Sequence, residues 1–247
     1  MSGYIHLQIV ENAEDVARIA AQNLCAQIRE RSDAVLGLAT GSTPEATYAE
    51  LVREHREHRV SFSRVRSVNL DEYQGLDGAH EHSYRYYMQR HLFDHVDMRS
   101  WNALLLDGTA VDGEAECRAY EERIRALGGV DLWLLGIGSN GHIAFNEPGS
   151  TRDSRTRCVP LTAETIADNS RLFAAPTEVP RRAYTVGIAT IMEARRLLLL
   201  ATGEHKARAV AAALRGEEGP HCPASFLRGH AECTFLIDRQ AASLLES

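Results

Sequence analysis

Three observations predict an α/β fold, a doubly wound and mostly parallel sheet with helices on both faces. Apolar runs of strand length alternate along the chain with segments of helical period, the signature of strand–helix–strand winding. Runs such as Ala34–Leu38 and Asp131–Ile137 read as buried strands. The third observation is size and continuity. A chain of 247 residues with 44% hydrophobic content can bury one large core, and no repeat, low-complexity tract or linker divides it, so a single domain is expected.

Taken in order, Ile5–Val10 opens as a strand. Asn12 then stands where a helix cap belongs, before Val16, Ile19, Ala20, Leu24 and Ile28 at three- and four-residue steps. After the strand Ala34–Leu38, Thr43 offers a capping hydroxyl ahead of Pro44 at a first helical position, and Tyr48, Leu51 and Val52 continue that helix's apolar face. Further strands are expected at Val65–Asn69, Ala103–Leu106, Asp131–Ile137, Ala183–Val186, Leu197–Ala201 and Thr234–Ile237, and helices near Tyr84–Phe93, Glu114–Leu127 and His205–Leu214. Pro148–Pro180 is less periodic and holds Arg152, Arg155, Arg157 and Arg171. It reads as a partly mobile flap over the sheet edge.

Charge narrows the partners. With 27 Lys and Arg against 34 Asp and Glu, the net charge is −7, and no basic run stands out, which argues against nucleic acid or an anionic membrane surface. A small anionic ligand remains open. The five cysteines are odd in number, widely spaced and form no C-x-x-C, so neither a disulfide framework nor a zinc site is suggested and a reducing cytoplasm is expected. Met1–His6 lacks a basic segment followed by an apolar one, and no apolar stretch approaches the roughly 20 residues needed to span a bilayer.

In such folds ligands bind outside the carboxyl ends of the strands. Three strand ends carry unusual chemistry. Ala39-Thr40-Gly41-Ser42-Thr43-Pro44 is a small, hydroxyl-rich turn entering a helix, where free N–H groups and the helix dipole favour a phosphate. A merely capped turn explains it equally well in isolation. Asp71 and Glu72 close the next strand; neighbouring carboxylates in one dry cleft push their proton affinities apart, whereas on a loop they are solvated charges. The third end is the most informative. Gly136, Gly138 and Gly141 let the chain turn sharply near a ligand, His142 can exchange a proton near neutral pH, and Glu147 can orient it. The spacing is not H-E-x-x-H and no second histidine follows at ligand spacing, so no metal is read. Arg171 suits a phosphate clamp and Lys206 opens a helix after a strand. Together with Thr40–Thr43 they outline a phosphate pocket beside a carboxylate and a histidine, suited to a phosphorylated sugar.

These residues resemble a known family. Ala39–Pro44, Asn69-Leu70-Asp71-Glu72-Tyr73, Gly141-His142-Ile143-Ala144-Phe145-Asn146-Glu147-Pro148 and Ser154-Arg155-Thr156-Arg157 are similar to segments of glucosamine-6-phosphate deaminases, also called glucosamine-6-phosphate isomerases, in the same order and at similar spacing. The turn at Thr40 is shared in spirit with 6-phosphogluconolactonases. The resemblance implies a modified Rossmann-like sheet without a nucleotide cofactor. It also implies roles: His142 with Glu147 for ring opening, Asp71 for proton transfer between C2 and C1, Glu72 as a supporting acid, and Thr40, Gly41, Ser42, Thr43, Arg171 and Lys206 for the phosphate. Asn140 stands where some members carry an aspartate, so its implied role is to hydrogen-bond and orient.

Hexameric members bind N-acetylglucosamine 6-phosphate at a subunit interface. Ser150 and Arg157 match that site, but Val159 and Pro160 stand where a lysine and a threonine belong, and the chain stops short of the longer regulatory tail. The expected ligand is an amino-sugar phosphate and the expected assembly a monomer or small homo-oligomer. A galactosamine 6-phosphate deaminase, a lactonase and a sugar-phosphate-sensing regulator are the alternatives. The last usually needs a DNA-binding segment, for which the chain has neither length nor basic patch.

Overall fold

Seven strands pair side by side, all parallel, and the chain winds across them in two directions. The structure, a computed structural model, describes residues 5–170, 173 and 179–245. Its elements are β1 (Ile5–Val10), α1 (Ala13–Glu30), β2 (Val35–Leu38), α2 (Ser42–Arg56), β3 (Arg66–Asn69), β4 (Asp71–Tyr73), α3 (Tyr84–His91), β5 (Ala103–Leu104), α4 (Gly113–Ala126) and β6 (Leu132–Gly136). There follow β7 (Arg157–Pro160), α5 (Ala163–Ser170), β8 (Arg182–Thr185), α6 (Ile188–Met192), β9 (Arg196–Ala201), α7 (Ala207–Arg215) and β10 (Cys233–Asp238). The large sheet has the order β1-β10-β9-β6-β2-β3-β5. From β2 the chain moves out through β3 to β5, then returns to β6 on the other side of β2 and moves out through β9 to β10. The β2–β6 boundary is therefore the topological switch point, the crevice where ligands of such sheets bind.

Apolar runs are continuous because both faces of the sheet are covered. Along β6, Leu132 and Leu134 face a layer built from α1, α2 and α3, with Val16, Leu24, Tyr48, Leu51 and Met88. Trp133 and Leu135 face the opposite layer, with Tyr120 and Ile124 of α4, Ile188 and Ile191 of α6 and Val210 of α7. The Asn12 cap forms as its sequence predicts, its side chain accepting from the Asp15 N–H at 2.9 Å. No helix among the described residues is long and apolar enough to cross a membrane.

Three expectations are corrected. The strand expected at Ala183–Val186 is β8, Arg182–Thr185, and it does not join the parallel sheet. It pairs antiparallel with β4 and β7 in a separate three-stranded sheet. Asp71 and Glu72 therefore belong to a strand rather than to a loop. The described part of Pro148–Pro180 supplies β7 and α5; Arg171 lies outside the described residues. Thr43 does not cap α2: the helix begins at Ser42, its cap is Gly41 at φ 101°, and no side chain satisfies its first turn. Pro44 is tolerated there because first-turn N–H groups lack an intrahelical partner anyway. Last, the final long helix starts later than His205, behind a tight 3-10 turn at Glu204–Lys206.

Candidate active site

A cavity of about 210 Å³ opens at the switch point, between the turn after β2 and the loop after β6. Thr40, Gly41, Ser42 and Thr43 line one side, and Asp71, His142 and Lys206 also face it. Two tyrosines fix the first turn by its carbonyls. Tyr48 of α2 donates to the Ala39 oxygen and Tyr87 of α3 donates to the Gly41 oxygen at 2.7 Å. The uncapped N-terminus of α2 thus lies at the cavity, where its free N–H groups and positive dipole end favour an anion. Lys206 is placed through the residue three positions earlier: the Gly203 N–H donates to both carboxylate oxygens of Asp238, which ends β10, at 3.1 and 3.0 Å.

The loop after β6 is held by its own side chains. Asn140 Nδ2 donates to Glu147 Oε2 at 2.9 Å while Asn140 Oδ1 accepts from the His142 N–H at 3.1 Å, so one amide bridges the two residues. His142 Nδ1 stands 3.4 Å from Glu147 Oε2, within ion-pair range though outside good hydrogen-bond geometry. The imidazole lies over Gly138, where a Cβ would come within 2.2 Å of the ring, so any side chain there would expel it. Gly141 is needed for its φ of 84°. Buried Asn146 ties the loop to the small sheet: its amide donates to Ile143 O at 3.0 Å and Val186 O at 2.8 Å, and Arg157 Nη1 donates to its oxygen at 2.9 Å.

The carboxylates are tuned in opposite directions. Asp71 is buried, and burial, reinforced by the charge of Glu72, pushes its proton affinity well above the ordinary carboxylate range. Burial also works against ionised Glu147, but the His142 imidazole, by contact and by charge, with the Thr165 hydroxyl and the Asn140 amide, outweighs it and holds the pKa at about 2. One acid is thereby ready to carry a proton and the other is locked as an anion beside a histidine. Such divergence suits groups with separate acid–base roles.

Glu72 sits differently from the expectation. Its carboxylate accepts from the Tyr73 and Tyr84 N–H groups at 2.9 Å each and from Arg85 at 3.0 Å, capping α3 rather than lining the cavity. Burial still raises its proton affinity against these three bonds. Its effect on the cavity is indirect, through Tyr84, which does line it. Tyr84, Phe145, Ser139 and Thr165 are cavity residues that sequence reasoning missed. Only Ser83 before Tyr84 gave a signal, as a helix cap accepting from the Tyr86 N–H. In the Ser154–Arg157 motif the first three residues brace the fold. Ser154 Oγ accepts from the Ile188 N–H, Arg155 pairs with Glu193, and Thr156 donates to buried Glu121. Among the described residues, no group of three or more His, Cys, Asp or Glu is placed to hold a metal ion.

Residues 9–236 match the model of a family described as glucosamine-6-phosphate isomerases/6-phosphogluconolactonase. The chain belongs to this family. A relative called glucosamine-6-phosphate deaminase 1, from Giardia intestinalis, is 50% identical over 239 residues, spanning 96% of this chain and 90% of its own. A solved structure described as a monomeric glucosamine-6-phosphate deaminase superposes with a TM-score of 0.96 at 45% identity, over 97% of this chain and all of that one. A 6-phosphogluconolactonase of Trypanosoma brucei has a TM-score of 0.80 at 22% identity, over 99% of this chain and 100% of its own, a likeness of fold alone. The family description itself names both isomerases and a lactonase.

Proposed function

We propose that the chain converts glucosamine 6-phosphate and water to fructose 6-phosphate and ammonia, without a metal or nucleotide. The observation that carries this is the pairing, in one cavity, of a helix start open to an anion with two possible proton carriers, buried Asp71 of raised proton affinity and His142 beside anionic Glu147. The phosphate is held by the Thr40–Thr43 turn and Lys206. His142, held beside anionic Glu147, takes the proton of the anomeric hydroxyl and gives one to the ring oxygen, which opens the ring. Asp71 then takes the proton from C2, leaving an enolamine, and returns it to C1. The resulting ketimine at C2 adds water and expels ammonia.

High identity to curated deaminases supports this reading, and the lactonase alternative lacks a use for Asp71, because opening a lactone needs no base at C2. Likeness to a chain described as monomeric supports a monomer here. A cytoplasmic setting fits five free thiols, four of them buried. The test is ammonia release by the purified protein from glucosamine 6-phosphate and, in parallel, from its galactosamine epimer. We expect release from the first, unchanged by chelator. Hydrolysis of 6-phosphogluconolactone without any ammonia release would overturn the proposal.

A second prediction concerns regulation. A cavity of about 470 Å³ behind Glu147 is lined by Ser150, Arg157, Val159 and Pro160, the positions matching the effector site of hexameric members. Arg157 is already engaged with Asn146 and with Ser150 Oγ at 3.0 Å, and burial lowers its hold on its own charge. Val159 supplies no second cation. Each lost charged contact weakens anion binding by about 1.5–3 kcal/mol, as much as a typical whole coupling energy of roughly 1–3 kcal/mol. Saturation curves for glucosamine 6-phosphate with and without N-acetylglucosamine 6-phosphate are expected to be hyperbolic and to superimpose. A sigmoidal curve made hyperbolic by the acetylated sugar would contradict this.

A further inference from the structure

Ring opening needs Glu147 to face the imidazole squarely, and Asn140 secures only one of its carboxylate oxygens. The other, Oε1, is bound from outside the loop. Thr165 Oγ1, buried in the first turn of α5, donates to it, and Thr165 also faces the cavity. The Thr165 hydroxyl is in turn 3.1 Å from Thr162 Oγ1, which accepts from the Thr165 N–H at 3.2 Å and so caps α5. One residue earlier, Glu164 Oε1 accepts from Ser139 Oγ at 3.1 Å, on the same loop before His142. Two successive residues of α5 therefore grip the loop after β6 from either end. Leu161 and Ile166 pack with Tyr73, Phe145 and Phe173, which seats the helix on the small sheet.

We propose that Thr165 is a positioning residue for ring opening: through its hydroxyl, α5 sets the orientation and charge of Glu147, so that the His142–Glu147 pair is competent only while α5 is docked on the loop. This rests on the deaminase reading above. A hydroxyl donating to a buried carboxylate is a charge-assisted bond, and it stabilises only the ionised form. With it removed, Glu147 keeps His142 on one side, the Asn140 amide, and Arg157 of β7 beyond the second cavity, while Lys206 lies across the first. Nothing else among the hydrogen bonds of the described residues reaches Oε1. The carboxylate is then free to rotate away from the ring, and its proton affinity rises.

The experiment uses Thr165→Val, which keeps the shape and loses the hydroxyl, and Thr165→Ser, which keeps the hydroxyl. Thr165→Val is expected to lower kcat for cyclic glucosamine 6-phosphate about tenfold, the scale of one charge-assisted bond. Its KM should be nearly unchanged. Thr165→Ser should restore kcat. Binding of the amino-alditol 6-phosphate, reduced at C1 and unable to close a ring, should match wild type in each variant. Titration of the Glu147 carboxyl carbon by NMR gives an activity-independent readout and should shift upward in Thr165→Val alone. Wild-type kcat and an unshifted Glu147 titration in Thr165→Val would overturn the proposal, as would equal losses in the serine variant or in alditol binding. If wild-type protein releases no ammonia, the deaminase reading fails, and the Glu147 titration still decides whether Thr165 governs that carboxylate.

Discussion

Asp71→Asn should abolish measurable exchange of the C2 hydrogen with solvent deuterium and lower ammonia release by about 10²–10⁴-fold, the usual worth of a positioned general base. The amide is nearly isosteric, and a neutral group is cheaper to bury than a carboxylate, so the fold should persist. What is lost is proton affinity. Burial, then the charge of Glu72, makes ionised Asp71 a stronger base than a solvated carboxylate. The sign of the pH dependence follows: the ionised base becomes scarcer as pH falls through a raised pKa, so the acidic limb of the wild-type profile should lie above the ordinary carboxylate range. Retention of C2 exchange in the variant, monitored by proton NMR of recovered substrate, would remove Asp71 from the role.

His142→Gln should be comparably damaging to the cyclic sugar but not to an open-chain one. The imidazole is held over Gly138 and against Glu147 on the loop after β6, whereas Asp71 lies on β4, so the two proton transfers are assigned to different elements. Glutamine can hydrogen-bond but cannot shuttle a proton, and a loss of about 10²–10⁴-fold on glucosamine 6-phosphate is expected. A 5-deoxy analogue, which cannot close the pyranose ring, should lose far less. Equal losses on both substrates would merge the two steps into one and contradict the division. Coupled sites are seldom additive, so the ratio between substrates, rather than either rate alone, is the decisive quantity.

How much of this was legible without coordinates differs between the two sheets. The large sheet was, because a strand buried on both faces must be apolar at every position. β2, β6 and β9 announce themselves as Val35–Leu38, Leu132–Gly136 and Arg196–Ala201, and their intervening helices repeat apolar residues at helical steps. The small sheet was not. β4 and β7 are three and four residues long, rich in polar side chains, and paired with a strand far away in sequence. No local period records such a partnership. For the same reason α5 was hidden in a segment of weak periodicity, although it delivers Thr165 to Glu147.

By itself the sequence determined the α/β winding and the types of group at its strand ends, since residue identity and strand periodicity are local properties. Tertiary structure alone decided which groups share a cavity and how each is charged. It separated Asp71 from Glu72 by sending one carboxylate to the cavity and the other to the start of α3, a consequence of adjacent strand residues facing opposite ways. It also set the proton affinities of Asp71 and Glu147 in opposite directions. Both are buried carboxylates, and the difference lies in which neighbours the fold brings to them: a second acid beside one, and a histidine, an amide and a hydroxyl around the other.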